Sequence, residues 1–408
     1  MQKSKKYFVS FKCLAVSICL GSSATSLGAE LTQSSPQIKR LEQGLIDIMK
    51  RGAESIKSWS IEDRLVAHEV PGVAVGIIEN GEVVWAKGYG TSLKGSGIKV
   101  DADTVFSVGS VSKMINAALI LRLAAEKKVD LDTDVNTYLK SWKVPENHFT
   151  KVKKVTLRSI LSHTAGFNQH GFDDYLPGEA LPNALETLNG EGPAKNGSVR
   201  LVLTPGEEMR YSGGGITVSQ VLIEDVTGLS YNDAAKKYVF EPLKMSRSTF
   251  VNPLPEDYVN VAKSHDEFGK PVALPRGWEA MPEMAASGLW TNVVDVSQFI
   301  IALMKSLNSD TGFLPPVLAN DMMTRVENSW HGLGPRLNGS GETWVFHHGG
   351  ANESYRAWVE GHPKNNSGIV IFTNETDGHW IHKKMRKSAE DAFDWLIKSD
   401  GGFEEPEF

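Results

Sequence analysis

Cysteine is almost absent from this 408-residue chain, and its placement excludes two kinds of chemistry. The only two cysteines, Cys13 and Cys19, lie within the first twenty residues. That segment has the pattern of a secretory signal, with four lysines, a short apolar run at 13–20 and small residues up to Ala29. We expect cleavage after Ala29, so that residues 1–29 are a signal peptide. The mature chain, 30–408, then has no disulfide bond and no thiol nucleophile.

The apolar run of the leader is too short to remain as a membrane span. We therefore expect a periplasmic or secreted protein with no membrane span after signal cleavage. A lipoprotein anchored through Cys19 is the alternative, but Ile18 stands where such signals need a small residue.

Excess positive charge is also lacking. The formal net charge is −6, and it becomes −10 once the leader is removed, since the leader carries four lysines and no acidic residue. A net acidic surface disfavours nucleic acid and anionic membranes as partners.

Several common enzyme motifs are missing as well. No serine lies in G-x-S-x-G, the marker of nucleophile-elbow hydrolases. His68-Glu69 is not followed by the spacing of H-E-x-x-H, and the eleven histidines show no metal-ligand spacing. No P-loop or dinucleotide fingerprint is present. We expect neither a metal nor an organic cofactor.

Hydrophobic periodicity predicts strands and a helix at both ends of the mature chain. Residues 38–49 are apolar at helical spacing, and two apolar runs flank Asn80-Gly81, which is typical of a β-hairpin. Further strands are predicted at 344–346, 355–359 and 369–372, followed by a helix whose apolar face extends from Met385 to Ile397.

This pattern predicts an α/β fold, an α+β sandwich in which both termini build one layer around a mostly helical insertion. The α/β part would cover about 36–110 and 286–400, and the insertion about 111–285. The segment 167–200 inside the insertion is predicted to be a long loop. Loops of this length more often have a function or are mobile than serve only as connections.

One motif points to nucleophilic catalysis. Ser110 and Lys113 form S-x-x-K at the start of a helical pattern, and two side chains three residues apart share one helix face. A neutral lysine amine can take the serine proton, and the helix N-terminus stabilises an anion that forms there. The S-x-x-K motif specifies only two of four positions and occurs often by chance. The surrounding sequence therefore decides whether Ser110 and Lys113 are catalytic.

The context is specific. The octapeptide Phe106–Lys113 resembles the nucleophile motif of the class C β-lactamase-related family, within the superfamily of serine β-lactamases and penicillin-binding proteins that also contains D-aminopeptidases and family VIII-type esterases. Other stretches resemble the family in the same order along most of the mature chain: 71–75, 129–135, 155–166, 205–212 and 286–290. The resemblance implies a β-lactamase/DD-peptidase-like fold with an antiparallel sheet and flanking terminal helices.

The resemblance also assigns roles to individual residues. Tyr211 matches the tyrosine that faces the serine–lysine pair and exchanges protons with it. Gly213 stands where many members have an asparagine, and we expect this change to widen the site and to weaken β-lactam turnover. His163 lies in Ser162-His163-Thr164-Ala165-Gly166, and we interpret it as a structural residue that shapes a loop.

The third family element is an H-x-G strand, for which two registers remain open. Either His347 or His348 begins it, and the spacing to Ser354-Tyr355 favours His348. In that register His348 and Gly350 line the site, and the Ala351 amide joins the Ser110 amide as an oxyanion hole. His347 would then form a wall, and Asn352 and Arg356 are weaker candidates for binding a substrate carboxylate.

The function implied is acyl transfer through an acyl-Ser110 intermediate. The substrate is expected to be a D-amino-acyl peptide, as in DD-peptidases, or an ester, so that peptidoglycan fragments or β-lactams are the expected small-molecule partners. A class C-like β-lactamase is the first alternative. A non-catalytic module that binds cell-wall fragments is the second, although such proteins usually lose the serine or the lysine.

Overall fold

The computed structural model describes residues 35–46, 57–176, 178–255, 257–272 and 280–395. The predicted signal peptide, 1–29, lies outside the described residues. The helix predicted over 38–49 is shorter than expected, because it ends at Gln43 and Leu45–Ile46 form a short strand. The last residues of both predicted terminal helices, at Ile48 and at Ile397, lie outside the described residues.

A six-stranded antiparallel sheet forms the centre of the fold, with strand order β4-β3-β10-β9-β8-β7. Two further pairs, β1 with β2 and β5 with β6, are short. The strands are β1 Leu45–Ile46, β2 Ser58–Trp59, β3 Gly72–Glu79, β4 Glu82–Gly90, β5 Phe106–Ser107, β6 Trp290–Thr291, β7 Arg336–Asn338, β8 Val345–Asn352, β9 Tyr355–His362 and β10 Ser367–Thr373.

Twelve α-helices lie in the part of the chain that the structure describes. They are α1 Pro36–Gln43, α2 Ile61–Ala67, α3 Ser112–Ala125, α4 His148–Val152, α5 Leu157–Leu161, α6 Ala184–Asn189, α7 Gly213–Thr227, α8 Tyr231–Ala235, α9 Met284–Ser287, α10 Val293–Ser306, α11 Pro316–Met322 and α12 His379–Phe393. Among them, no helix combines the length and the apolar character needed to cross a membrane.

Each face of the sheet is covered by its own hydrophobic core. Alternate residues of β3 point to opposite faces, so Val75 packs with Leu41 and Met385 of the terminal helices α1 and α12. Ala74 belongs instead to the larger core on the other face, which contains the central helices. Burial on both faces explains why β3 is an uninterrupted apolar run rather than an alternating one.

The predicted fold class is confirmed, because the sheet is antiparallel and terminal helices flank it. The hairpin at Asn80-Gly81 joins β3 to β4, and the three late strands are β8, β9 and β10. Every element described between Gly109 and Ser287 is helical. The exact limits of the insertion stay a prediction. The segment 167–200 is mostly irregular, but it contains helix α6.

Candidate active site

Ser110 lies in a 3-10 turn, Gly109–Val111, between strand β5 and helix α3. Val108, which precedes this turn, is held by a backbone hydrogen bond, in which its N–H donates to the Leu289 carbonyl at 3.1 Å. Ser112 then ties the turn together, because its hydroxyl donates to the Gly109 carbonyl at 2.6 Å and accepts from the Leu289 N–H at 3.0 Å. The candidate nucleophile is therefore held on a constrained turn and remains partly exposed.

Lys113 is the immediate neighbour of Ser110. Its Nζ lies 3.0 Å from Ser110 Oγ and donates to the Ala286 carbonyl at 2.7 Å. The side chain is buried, with 3% exposure. Helical spacing brings the amine to the hydroxyl, and the Ala286 carbonyl of α9, 173 residues away in sequence, fixes its direction.

Tyr211 is a further neighbour of the lysine. The Lys113 Nζ stands 4.9 Å from the centre of the Tyr211 ring. The tyrosine immediately precedes α7, where Ser212 is the N-cap and its hydroxyl accepts from the Gly215 N–H at 3.0 Å. The structure thus brings Ser110, Lys113 and Tyr211 together, as the sequence predicts.

Gly213 is closely packed at the start of α7, and the expected widening of the site by the loss of the asparagine stays a prediction. A Cβ at Gly213 would lie 3.0 Å from the His170 carbonyl oxygen and 3.1 Å from the Phe172 ring. The Gly213 N–H also donates to that carbonyl at 2.7 Å. The segment 169–172 therefore packs against the start of α7.

The two adjacent histidines of β8 point to opposite faces of the sheet, since side chains alternate along a strand. The His348 ring lies 6.4 Å from the Tyr211 ring, on the side of the site. The His347 ring stacks on Trp358 at 4.8 Å, on the other side. The arrangement agrees with the register that begins at His348.

The backbone of β8 comes close to the turn that carries Ser110. Gly109 has φ +48°, and a Cβ there would lie 2.7 Å from the Ala351 nitrogen. The amide nitrogen of Ala351 is therefore next to the backbone of Ser110. This is the neighbourhood that an oxyanion hole built from these two amides requires.

Three buried imidazoles surround Tyr211. The ring centroids of His163, His331 and His348 lie 4.2, 6.0 and 6.4 Å from that of Tyr211. Burial lowers the pKa of each, to about 3 for His331 and well below the ordinary value for the other two. All three are therefore neutral near pH 7.

Hydrogen bonds define which ring nitrogen carries the proton. His348 Nδ1 lies 2.6 Å from the Gly349 carbonyl and His331 Nδ1 lies 3.1 Å from the Gly334 carbonyl, so both nitrogens donate. His163 Nδ1 instead accepts from the Ser212 N–H at 3.1 Å. That bond holds Ser212, the N-cap of α7, and agrees with a structural role for His163.

Two charged residues near the site were not predicted from the sequence. The Arg336 guanidinium carbon lies 5.8 Å from the Tyr211 ring centre, and its charge contributes to the low pKa values of His331 and His348. Glu283 directly precedes α9 and is only 1% exposed. Burial raises the pKa of Glu283 to about 7, while the charge of Lys113 acts in the opposite direction. No local motif marks either residue.

Asn352 and Arg356 hold backbone in place. Asn352 Nδ2 donates to Ser107 Oγ at 2.6 Å and to the Ser287 carbonyl at 3.2 Å. Arg356 donates to the carbonyls of Asn352 and Tyr355. Their predicted contact with a substrate carboxylate stays a prediction.

No group of three or more metal-ligating side chains with suitable geometry occurs among residues 35–395 that the structure describes. The chemistry available at the site is that of a serine, an amine, a phenol and backbone amides.

Comparison with known proteins identifies the family of this chain. The family model described as Beta-lactamase matches residues 59–392, which include every residue placed in the site. The chain belongs to the beta-lactamase family. Members of this family are serine hydrolases.

Relatives within this family are distant. Protein flp of Staphylococcus aureus (strain N315) is 24% identical over 331 residues, 76% of this chain and 62% of that protein. Penicillin-binding protein 4 of Amycolatopsis lactamdurans is 28% identical over 222 residues, 53% of this chain and 55% of that protein. The chain thus spans less than two thirds of the length of these relatives.

Solved structures share the fold. The octameric penicillin-binding protein homologue from Pyrococcus abyssi has a TM-score of 0.66 at 23% identity, covering 81% of this chain and 75% of its own. A D-stereospecific amidohydrolase from Streptomyces sp. has a TM-score of 0.60 at 22% identity, covering 79% and 96%. These likenesses establish the architecture.

Proposed function

We propose that the protein is an exported serine hydrolase that acts through an acyl-Ser110 intermediate. The observation that carries the proposal is the 3.0 Å separation between Lys113 Nζ and Ser110 Oγ, at the start of a buried helix. A general base must lie within hydrogen-bond distance of the proton that it removes, and Lys113 meets this requirement.

The proposed reaction has two steps. Ser110 Oγ bonds to the substrate carbonyl carbon while its proton moves to the Lys113 amine, and the developing oxyanion accepts from the Ser110 and Ala351 amides. The C–N or C–O bond then breaks, and the leaving group receives a proton through Tyr211. Water attacks the acyl-Ser110 ester, which releases the acid and restores the serine.

We propose a D-amino-acyl peptide or an ester as the substrate. The similar solved structures include a penicillin-binding protein homologue and a D-stereospecific amidohydrolase, and this similarity favours D-amino-acyl chemistry. The Arg336 guanidinium lies near Tyr211 and brings a positive charge to the site, whereas His348 is neutral. That charge supports a substrate with a carboxylate. A β-lactamase is the closest alternative, since its substrate offers a similar carbonyl.

The site of action proposed is the periplasm or the outside of the cell, where peptidoglycan fragments are available. This rests on the leader pattern of residues 1–29. The intact mass of protein recovered outside the cytoplasm should correspond to a chain that begins at Glu30. A full-length mass there would contradict the proposed cleavage.

Intact mass over time with a penicillin tests the chemistry. A lasting adduct that disappears in Ser110→Ala supports an acyl-enzyme with slow deacylation, and rapid loss of the drug supports the β-lactamase alternative. Without an adduct or drug loss, D-amino-acid amides and simple esters are the next substrates. Undiminished turnover of any of these by Ser110→Ala would overturn the proposal.

A further inference from the structure

One buried carboxyl group near the active site has no role in the mechanism proposed above. Glu283 directly precedes α9 and is only 1% exposed. Its Oε1 accepts from the Ser287 hydroxyl at 3.4 Å, whereas its Oε2 is buried and has no hydrogen-bond partner among the described residues. Burial of a carboxyl group without full hydrogen bonding is costly, so such a group is more often functional than a surface carboxylate.

The backbone places Glu283 next to the group that fixes Lys113. The Glu283 carbonyl accepts from the N–H groups of Ala286 and Ser287, at 2.9 and 3.1 Å. Residues three apart on a helical turn lie about 5–6 Å from each other. The Ala286 carbonyl in turn accepts from Lys113 Nζ at 2.7 Å. The single turn of α9 therefore carries the carboxyl group at its start and holds the amine near its end.

The charges of the two groups are coupled. Burial raises the pKa of Glu283 to about 7, while the charge of Lys113 favours the ionised carboxylate. Coupling of this kind acts in both directions, so an ionised Glu283 favours the ammonium form of Lys113. Lys113 becomes an ammonium when it takes the proton of Ser110. A negative charge at Glu283 therefore stabilises the form of the lysine that acylation produces.

Other groups face Glu283 from the elements packed against it. The segment 167–200 contributes Asp173, whose charge disfavours ionisation of Glu283, and Tyr175, which stays uncharged because burial raises its pKa. Helix α7 contributes the neutral side chain of Gln220, which accepts from the Ala285 N–H at 3.0 Å. Lys113 is thus the cation that acts on this carboxyl group.

The histidines around Lys113 do not change charge in the same pH range. The charge of Lys113 acts on His163, His170, His331 and His348, and burial lowers the pKa of each. Their imidazoles are therefore neutral near pH 7. Glu283, by contrast, changes from neutral to negative near this pH.

We propose that Glu283 is a positioning residue that acts through Lys113 and sets the pH range in which this lysine works as a base. The inference rests on the proposed function and adds a residue to the same site. The proton of Ser110 still moves to the Lys113 amine, and no bond to Glu283 forms or breaks. The carboxylate stabilises the new ammonium, and before the reaction it also keeps more of the lysine protonated.

The pH dependence of Ser110 labelling by a small uncharged fluorophosphonate tests this role. In Glu283→Gln the labelling rate should begin to rise at a pH lower by about half a unit or more. The rate at high pH should fall by about twofold or more, because the amine is a weaker base without the carboxylate. Glu353→Gln, at an exposed position between β8 and β9, is the matched control and should have the wild-type profile.

A merely structural role of Glu283 predicts a different result. Loss of packing would lower the rate by the same factor at every pH. Such a uniform loss in folded Glu283→Gln, or a profile identical to that of the wild-type protein, would overturn the proposal.

Ser287→Ala tests the same coupling while keeping the carboxyl group. The Ser287 hydroxyl stabilises ionised Glu283, so its removal should keep Glu283 protonated to a higher pH. The labelling profile should then shift in the same direction as in Glu283→Gln, by a smaller amount. This variant decides the question if Glu283→Gln does not fold, and an unshifted or oppositely shifted profile would then contradict the proposal.

A titration without turnover separates this proposal from the proposed function. The carbon-13 NMR signal of the Glu283 carboxyl group reports its ionisation directly. In Lys113→Met the midpoint should move to higher pH, because the charge that favours ionisation is removed. If the wild-type protein is not labelled at Ser110, the proposed function fails. An unchanged midpoint in Lys113→Met would instead show that Glu283 and Lys113 are not coupled, and the proposal made here would fail.

Discussion

Gly350 of β8 faces the carbonyl oxygen of Val108 so closely that a Cβ would lie only 2.0 Å from it. Val108 immediately precedes the turn that carries Ser110, and Gly350 immediately precedes Ala351. The contact thus sets the distance between the nucleophile and the proposed second oxyanion donor. Only glycine allows two backbones to come this near.

Gly350→Ala should impair acylation, because the new methyl group forces β8 away from Val108. A displacement of about 1 Å in such a site costs about 10²-fold in rate. The rate of Ser110 labelling by a fluorophosphonate measures this effect. Gly349→Ala is the matched control, since its Cβ has ordinary contacts, and it should react at the wild-type rate. Equal rates for both variants would show that the contact does not position the amide.

Lys113→Met should lower the acylation rate by about 10²- to 10⁴-fold, the usual contribution of a general base. Methionine preserves much of the buried aliphatic volume while removing the amine next to Ser110 Oγ. Lys128→Met, an exposed position just beyond the same helix, should leave the rate unchanged. Near-normal acylation of Lys113→Met in a folded protein would assign the base to another group.

Glu283→Gln should change how stability depends on pH. Burial raises the pKa of Glu283 from 4.5 to about 7, so the folded state holds a proton that the unfolded state releases between these values. The wild-type protein therefore loses stability as pH rises through this window, by on the order of 3 kcal/mol from this group. Glutamine does not ionise, so Glu283→Gln should remove this contribution to the pH dependence of the unfolding free energy.

Urea unfolding at pH 5 and pH 8 measures this difference between the wild-type protein and Glu283→Gln. Glu82→Gln, which removes a carboxyl from an exposed position of β4, should retain the wild-type pH dependence. The same change in unfolding free energy between pH 5 and pH 8 for the wild-type protein and Glu283→Gln would contradict the raised pKa.

Arg386→Met should destabilise the fold strongly. Arg386 Nε donates to Glu360 at 3.0 Å, and both side chains are nearly inaccessible. Burial opposes ionisation of Glu360, but Arg386 and His362 outweigh it and lower its pKa. Removing the guanidinium leaves a buried carboxylate without its main counter-charge, at a cost of about 3–5 kcal/mol in unfolding free energy.

The matched comparison for this ion pair is Lys87→Met. It breaks a pair with Glu42 in which the lysine side chain is 39% exposed, and the expected cost is below about 1 kcal/mol. Urea unfolding at pH 7 distinguishes the two. Similar losses for Arg386→Met and Lys87→Met would contradict the argument.

The local part of the site could be predicted from the sequence. Ser110 and Lys113 are three residues apart, and helical geometry alone brings their side chains together. Five of the six strands of the sheet were also predicted, because β3 and β10 contain apolar runs of strand length and Asn80-Gly81 marks a hairpin, whereas the short edge strand β7 was not predicted. The fold class followed from these elements.

Contacts between distant segments were not predictable in this way. Gly213 contacts His170 and Phe172, which lie in a segment that the sequence marked only as a long loop. Arg336 and Glu283 near the site carry no motif, and their proximity to Tyr211 and Lys113 arises from packing alone.

The sequence by itself determined five of the six strands of the sheet, the Ser110–Lys113 pair and the family resemblance, because each depends on short-range spacing. Tertiary structure alone decided which histidine of β8 faces Tyr211 and which carbonyl fixes Lys113. The physical reason is that pKa shifts, orientation and cavity shape depend on burial by residues far apart in the chain, and burial exists only after the sheet and the helices have packed.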